Sequence, residues 1–179
     1  MDTFIASGAP LENEVHRHLQ SATIGFLWSG MGNSRHGNVV VGQAELMPPP
    51  VMGRWAKARA LQQLVEWFGD VPDFLITLDA RYADQCSDAT FCSLVEHELG
   101  HCGQAKDKYG MPAFTKDGRP KLAIRGHDLE EFVSIDRRYG VGAAAGATRA
   151  LVEAAKETPL IGRASISQAC GTCRQLRAA

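Results

Sequence analysis

The chain has 179 residues, 45% of them apolar and 22% charged, which is enough to bury a core and too apolar for a disordered chain. Nineteen basic residues against twenty acidic ones leave a formal net charge of −1, so charge gives no support for a nucleic-acid partner or a membrane surface. No window is apolar over the length of a bilayer span, Met1 to Pro10 does not read as a secretory signal, and five cysteines in no framework pattern argue against a disulfide-stapled fold; the expected compartment is the cytoplasm.

Leu11 to Gln20 has the apolar spacing of a short surface helix. Thr23 to Ser29 and Asn38 to Leu46 are rich in strand formers and predict an antiparallel pair across a Gly/Asn/Ser-rich turn. Pro48, Pro49 and Pro50 break regular structure, and Arg54 to Phe68 then spaces Trp55, Ala58, Leu61, Leu64, Val65 and Phe68 as a helix closed by Gly69. Phe74 to Asp79 predicts a strand. A helix capped by Ser87 or Asp88 runs to about Cys102 and stops at Gly103. Tyr109 to Leu122, with two glycines and two prolines, reads as a loop or small hairpin. Asp128 to Tyr139 returns to helical spacing, Gly140 ends it, and an Ala/Gly-rich stretch to Ala155 predicts one more helix before a polar tail. The expected fold is a small α+β domain over residues 1–140, with a mixed or antiparallel sheet packed on one central helix, and a helical C-terminal extension over 141–179.

That central helix carries His97-Glu98-Leu99-Gly100-His101. Positions i and i+4 lie on one face a turn apart, so both imidazoles can turn a nitrogen to one ion, while Glu98 stands one step around, placed to take a proton from a metal-bound water. Phe91, Leu94, Val95 and Leu99 give the helix an apolar surface to pack on, which a rigid site requires. A catalytic zinc needs a third protein ligand and an open fourth position. His127 is the one downstream histidine, set after Gly126 at a predicted helix start; Glu130 and Glu131 on that helix are the carboxylate alternatives, and Asp128 is a candidate for orienting a ligand imidazole. Gln104 and Asp107 exclude the longer metzincin pattern, and Asp107 is one position off the aspzincin spacing. A deformylase reading would need an upstream Gly-Cys motif that neither Cys86 nor Cys92 provides. Cys92 and Cys102 read as packing residues, and Cys170-Gly-Thr-Cys173 is half of a four-thiolate site. Tyr109, Tyr139 and Arg125 are the candidates for stabilising an oxyanion.

Between Val95 and Gly140, the segments Glu-His-Glu-Leu-Gly-His-Cys-Gly, Lys-Asp-Gly-Arg-Pro, Gly-His-Asp-Leu-Glu-Glu-Phe and Arg-Arg-Tyr-Gly resemble the putative phage metallopeptidase family. The pairing of His-Glu-x-x-His with a later Gly-His-x-x-x-Glu-Phe is also similar to SprT-like zinc proteases, a resemblance that implies His127 as third ligand. The expectation is therefore a peptidase with one Zn2+ per chain on His97, His101 and His127, Glu98 as general base, and a peptide or protein substrate bound along an exposed edge strand such as Phe74 to Asp79. The competing expectation is a non-catalytic, zinc-stabilised module that binds a host or DNA-associated protein, its coordination closed by Cys102, Glu130 or Glu131.

Overall fold

A computed structural model describes residues 2–35, 38–50, 53–128 and 146–159. The central element is β5 (Phe74–Asp79), a run of apolar residues buried on both faces. It is flanked by β1 (Ile24–Ser29), parallel to it from Ile24↔Phe74 to Ser29↔Asp79, and by β4 (Gly42–Leu46), antiparallel to it from Gly42↔Leu78 to Leu46↔Phe74. Residues 23–29 and 38–46 therefore do not pair with each other. The second of these segments divides at Val41: β3 (Asn38–Val40) folds back on β2 (Asn33–Arg35), and β4 joins the main sheet. Nor is Phe74–Asp79 an edge; the edges of the sheet are β1 and β4. Its near-continuous apolar run explains the difference, because such a run suits a strand covered on both sides.

The alternation along β5 sorts the two layers. Phe74, Ile76 and Leu78 join Ala44, Val41 and the apolar face of α4 (Asp88–His101) in the main core, together with Leu19 and with Phe4 and Ile5 of α1 (Asp2–Ile5). On the opposite face lies α2 (Arg54–Phe68), whose Leu64 is buried and which ends at Gly69 in a left-handed conformation, the Gly69 N–H donating to the Val65 carbonyl at 2.8 Å. A short α3 (Ala80–Gln85), absent from the sequence expectation, follows β5 directly because Asp79 caps it: Oδ1 accepts from the N–H groups of Arg81 and Tyr82 at 2.8 and 3.0 Å. Ser87 caps α4 as expected, accepting from Thr90 N–H at 3.3 Å.

The segment Glu14–Ser21 is a 3-10 helix, tighter than the α-helix expected for residues 11–20. It buries His16 and Leu19 and sets His18 against the end of α4, with Nε2 at 2.8 Å from the Cys102 carbonyl. After α4 the chain forms β6 (Cys102–Gln104) and, beyond a folded-back loop, β7 (Leu122–Ile124), an antiparallel ribbon that sequence patterning did not foresee. The predicted helix over Asp128 to Tyr139 and the residues around position 140 lie outside the described residues, Asp128 excepted; Ala147–Ala154 is helical (α5), in line with the Ala/Gly-rich stretch. Among the described residues no helix is long and apolar enough to cross a membrane.

Two outcomes follow from this packing. Ile76 is fully buried on the central strand, so Ile76→Ala should lower the unfolding free energy by about 3 kcal/mol in urea titration, the cost of an unfilled core cavity. His16 is buried, finds no hydrogen-bond partner for either ring nitrogen among the described residues, and lies 4.0 Å from Glu96 Oε1. Desolvation holds its pKa below the ordinary 6.5, partly offset by the Glu96 charge. The unfolded chain thus takes up this proton first as pH falls, and the stability lost below about pH 6.5 should be smaller in His16→Leu when both are melted in parallel.

Candidate metal centre

The site begins with the geometry of the helix end. α4 places His97 and His101 on one face, half-buried and buried respectively, with ring centroids 4.9 Å apart. A helix would leave its last carbonyls without partners, and here the ribbon takes up that of His101. The register of β6 against β7 pairs Cys102 with Ile124; one step further it sets His101 opposite Arg125. The Arg125 N–H donates to the His101 carbonyl at 2.9 Å, and the His101 ring returns a bond from Nδ1 to the Arg125 carbonyl at 2.7 Å. A carbonyl only accepts, so Nδ1 carries the proton, and in the neutral ring Nε2 presents its lone pair.

This reciprocal pairing brings in the third histidine. His127 stands two residues beyond Arg125 and 30 positions from His97 in the chain, yet its Nε2 lies 3.3 Å from His97 Nε2. His101 Nε2 lies 3.2 Å from the same atom. The His127 ring centroid is 5.0 Å from that of His97 and 5.1 Å from that of His101, so the three rings form a nearly equilateral triangle. Among the described residues, His97, His101 and His127 form a group able to hold a metal ion, one ligand atom from each within 4.8 Å of the others.

The long connection from His101 to His127 is ordered by its own bonds. Ala105 N–H donates to the Lys121 carbonyl at 2.7 Å, Lys121 N–H to Ala113 at 3.0 Å, and Ala113 N–H to Ala105 at 2.8 Å. Bridges at Lys106↔Pro112 and Phe114↔Pro120 extend it into a folded hairpin, the second of the two forms, loop or small hairpin, expected for Tyr109 to Leu122. Asp107, at the tip, accepts from Tyr109 and Met111 N–H groups and serves the turn. Gly103 permits the tight ribbon: a Cβ there would meet the Arg125 Cβ at 2.9 Å and the Ala123 carbonyl at 3.3 Å.

The remaining candidates sort by position. Glu98 is 0% exposed and lies on the side of α4 that faces β4, its Oε1 against Gly42. The Asp128 carboxylate pairs with the Arg125 guanidinium, bracing the short segment that carries His127. Cys102 is buried in the core, and burial, reinforced by the Glu98 charge, pushes its thiol well above the usual range. Its Sγ faces the Glu98 carbonyl at 3.5 Å, a packing arrangement for a protonated thiol. Tyr109 is exposed and lies beneath the Lys108 ammonium. Glu130, Glu131, Tyr139, Cys170 and Cys173 lie outside the described residues. The contribution that sequence reasoning missed is the Arg125 carbonyl; as a main-chain atom it leaves no side-chain signal.

Comparison with known proteins concerns the same stretch. The family model described as putative phage metallopeptidase matches residues 2–156, most of the chain and every residue of the histidine triangle. No curated protein and no solved structure matches the chain.

The ribbon's role in shaping the triangle can be measured directly. Gly103→Ala should separate β7 from the end of α4, loosen the His101–Arg125 bond and weaken metal affinity about 10- to 100-fold, the usual cost of losing an orienting partner, in competition with a chromophoric chelator. Wild-type affinity in this variant would mean that the ribbon does not orient the histidines.

Proposed function

The chain belongs to the putative phage metallopeptidase family, and on that premise we propose that it is a zinc-dependent peptidase with one zinc per chain on His97, His101 and His127 and Glu98 as general base. The observation that carries the reading is how close the Nε2 atoms of His101 and His127 each lie to that of His97, with all three ligand atoms within 4.8 Å of one another. Imidazole nitrogens bound tetrahedrally at about 2.0–2.1 Å lie about 3.3–3.4 Å apart. The separations from His97 are 3.2 and 3.3 Å. Three histidines with the fourth position left to water or substrate is the donor set of a catalytic zinc, and bound zinc supplies a Lewis acid that brings the pKa of its water toward neutrality.

The rest of the chemistry falls to the chain's own groups. His101 is held in one tautomer by the Arg125 carbonyl, which keeps its Nε2 directed into the triangle. Glu98, fixed on the helix and shut away from bulk solvent, accepts the proton of the attacking water on its carboxylate and delivers it to the leaving amine nitrogen as the peptide bond breaks. Arg125 and Asp128 hold the His127 segment in place. An extended substrate is assigned to β4, the sheet edge whose Gly42 touches Glu98, in place of the central β5.

The discriminating variant is Glu98→Gln, which keeps size and ligands while removing the base. Zinc-loaded Glu98→Gln should retain its metal and lose about 10²- to 10⁴-fold in the rate of casein hydrolysis relative to wild type. Undiminished hydrolysis would remove Glu98 from the mechanism, and a zinc-loaded wild type inert toward unfolded proteins would favour a zinc-stabilised binding module.

A further inference from the structure

We propose that Gly42 is a positioning residue for Glu98, its missing side chain forming the slot that sets the carboxylate's place on the helix that carries His97 and His101; this rests on the peptidase reading above. A Cβ built on Gly42 would stand 2.6 Å from Glu98 Oε1, 3.0 Å from Glu98 Cδ and 3.0 Å from Leu94 Cδ1. These separations are too short for carbon against oxygen or carbon, so the carboxylate occupies space that only glycine leaves open.

The requirement is one of space and not of backbone freedom. Gly42 lies within β4, outside the left-handed region that favours glycine, and its backbone suits any residue. Glycine inside a strand weakens it and commonly marks a close approach by another group. The contrast with Ala44 is direct: two residues along on the same face, paired with Ile76, a methyl group is fully buried and accommodated.

The surroundings decide what would yield to an added methyl group. Leu94 is 1% exposed within the core, and its Cδ1, 3.0 Å from the added carbon, need give by only a few tenths of an ångström, against the closer 2.6 Å of Glu98 Oε1. The strand is held in place on its own side: Val41 is 1% exposed, and its carbonyl accepts from the Asp79 N–H at 2.9 Å. The Glu98 carboxylate is the far end of a flexible side chain and is the group that moves. A displacement near 1 Å leaves zinc bound on its histidines while taking the base out of line, which costs about 100-fold in rate.

The test uses the full chain loaded with zinc, as wild type, Gly42→Ala, Glu98→Ala and the double variant. Zinc content, melting temperature, casein hydrolysis and the Kd of a peptide hydroxamate, which binds zinc and hydrogen-bonds the base, are read on each. Gly42→Ala should keep its zinc, lose about 100-fold in kcat with little change in KM, and weaken hydroxamate binding about tenfold. In the Glu98→Ala background the same change should alter neither hydroxamate affinity nor melting temperature, since the group it displaces is gone. Should Gly42→Ala fail to fold, the same contact requires that Gly42→Ala/Glu98→Ala folds. Wild-type kcat and affinity in Gly42→Ala, an equal loss in both backgrounds, or failure of both variants to fold would overturn the assignment and leave the peptidase reading standing. A wild type that neither cleaves casein nor binds the hydroxamate would overturn both.

Discussion

The two hydrogen bonds between His101 and Arg125 are the constraint on which the rest of the site depends. One is the continuation of a β-ladder, Arg125 N–H to the His101 carbonyl; the other runs from the His101 ring to the Arg125 carbonyl. Together they join the last turn of a helix to the end of a strand ribbon, so a single residue is both a helix terminus and an edge of a sheet. This satisfies a carbonyl that a helix end leaves open, selects a tautomer, and fixes where the chain goes after β7. His127 reaches the other two histidines because it follows Arg125 by two residues.

The face of α4 turned to the sheet is governed by packing. Leu94, Val95 and Leu99 anchor the helix to β4 and β5, and Glu98 is drawn into the same buried face. Burying a carboxylate and an imidazole is costly unless each meets a defined partner, so a fold carries such groups where their chemistry or geometry is used. Here the helix presents His101 to the ribbon and its glutamate to the sheet edge: Gly103 allows the close ribbon, Gly42 the close strand.

Local signals in the sequence were legible. Ser87 and Gly69 marked helix ends correctly because capping is decided within a few residues, and the histidine pair was visible because i and i+4 spacing means one thing on a helix. Non-local choices were not. Nothing in residues 23–29 or 38–46 says which neighbour each will take, and the parallel pairing of β1 with β5 depends on a partner some fifty positions away. The apolar run of β5 did carry information, since burial on both faces argues against an edge, but it competed with the simpler expectation of a hairpin. β6 and β7 are three residues each and show no alternation; they exist because α4 delivers one strand to the other. His127 entered the expected site as the one downstream histidine, a reading that the family resemblance strengthened, while Arg125's carbonyl and the empty space at Gly42 have no sequence signature at all.

Three imidazoles on one ion, with an open position, have a signature in X-ray absorption at the zinc edge of the zinc-loaded protein. The spectrum should show a first shell of nitrogen and oxygen at about 2.0–2.1 Å with multiple scattering from three histidine rings, reduced to two rings in His127→Ala. A sulfur shell at about 2.3 Å, or a wild-type spectrum unchanged by His127→Ala, would contradict that coordination.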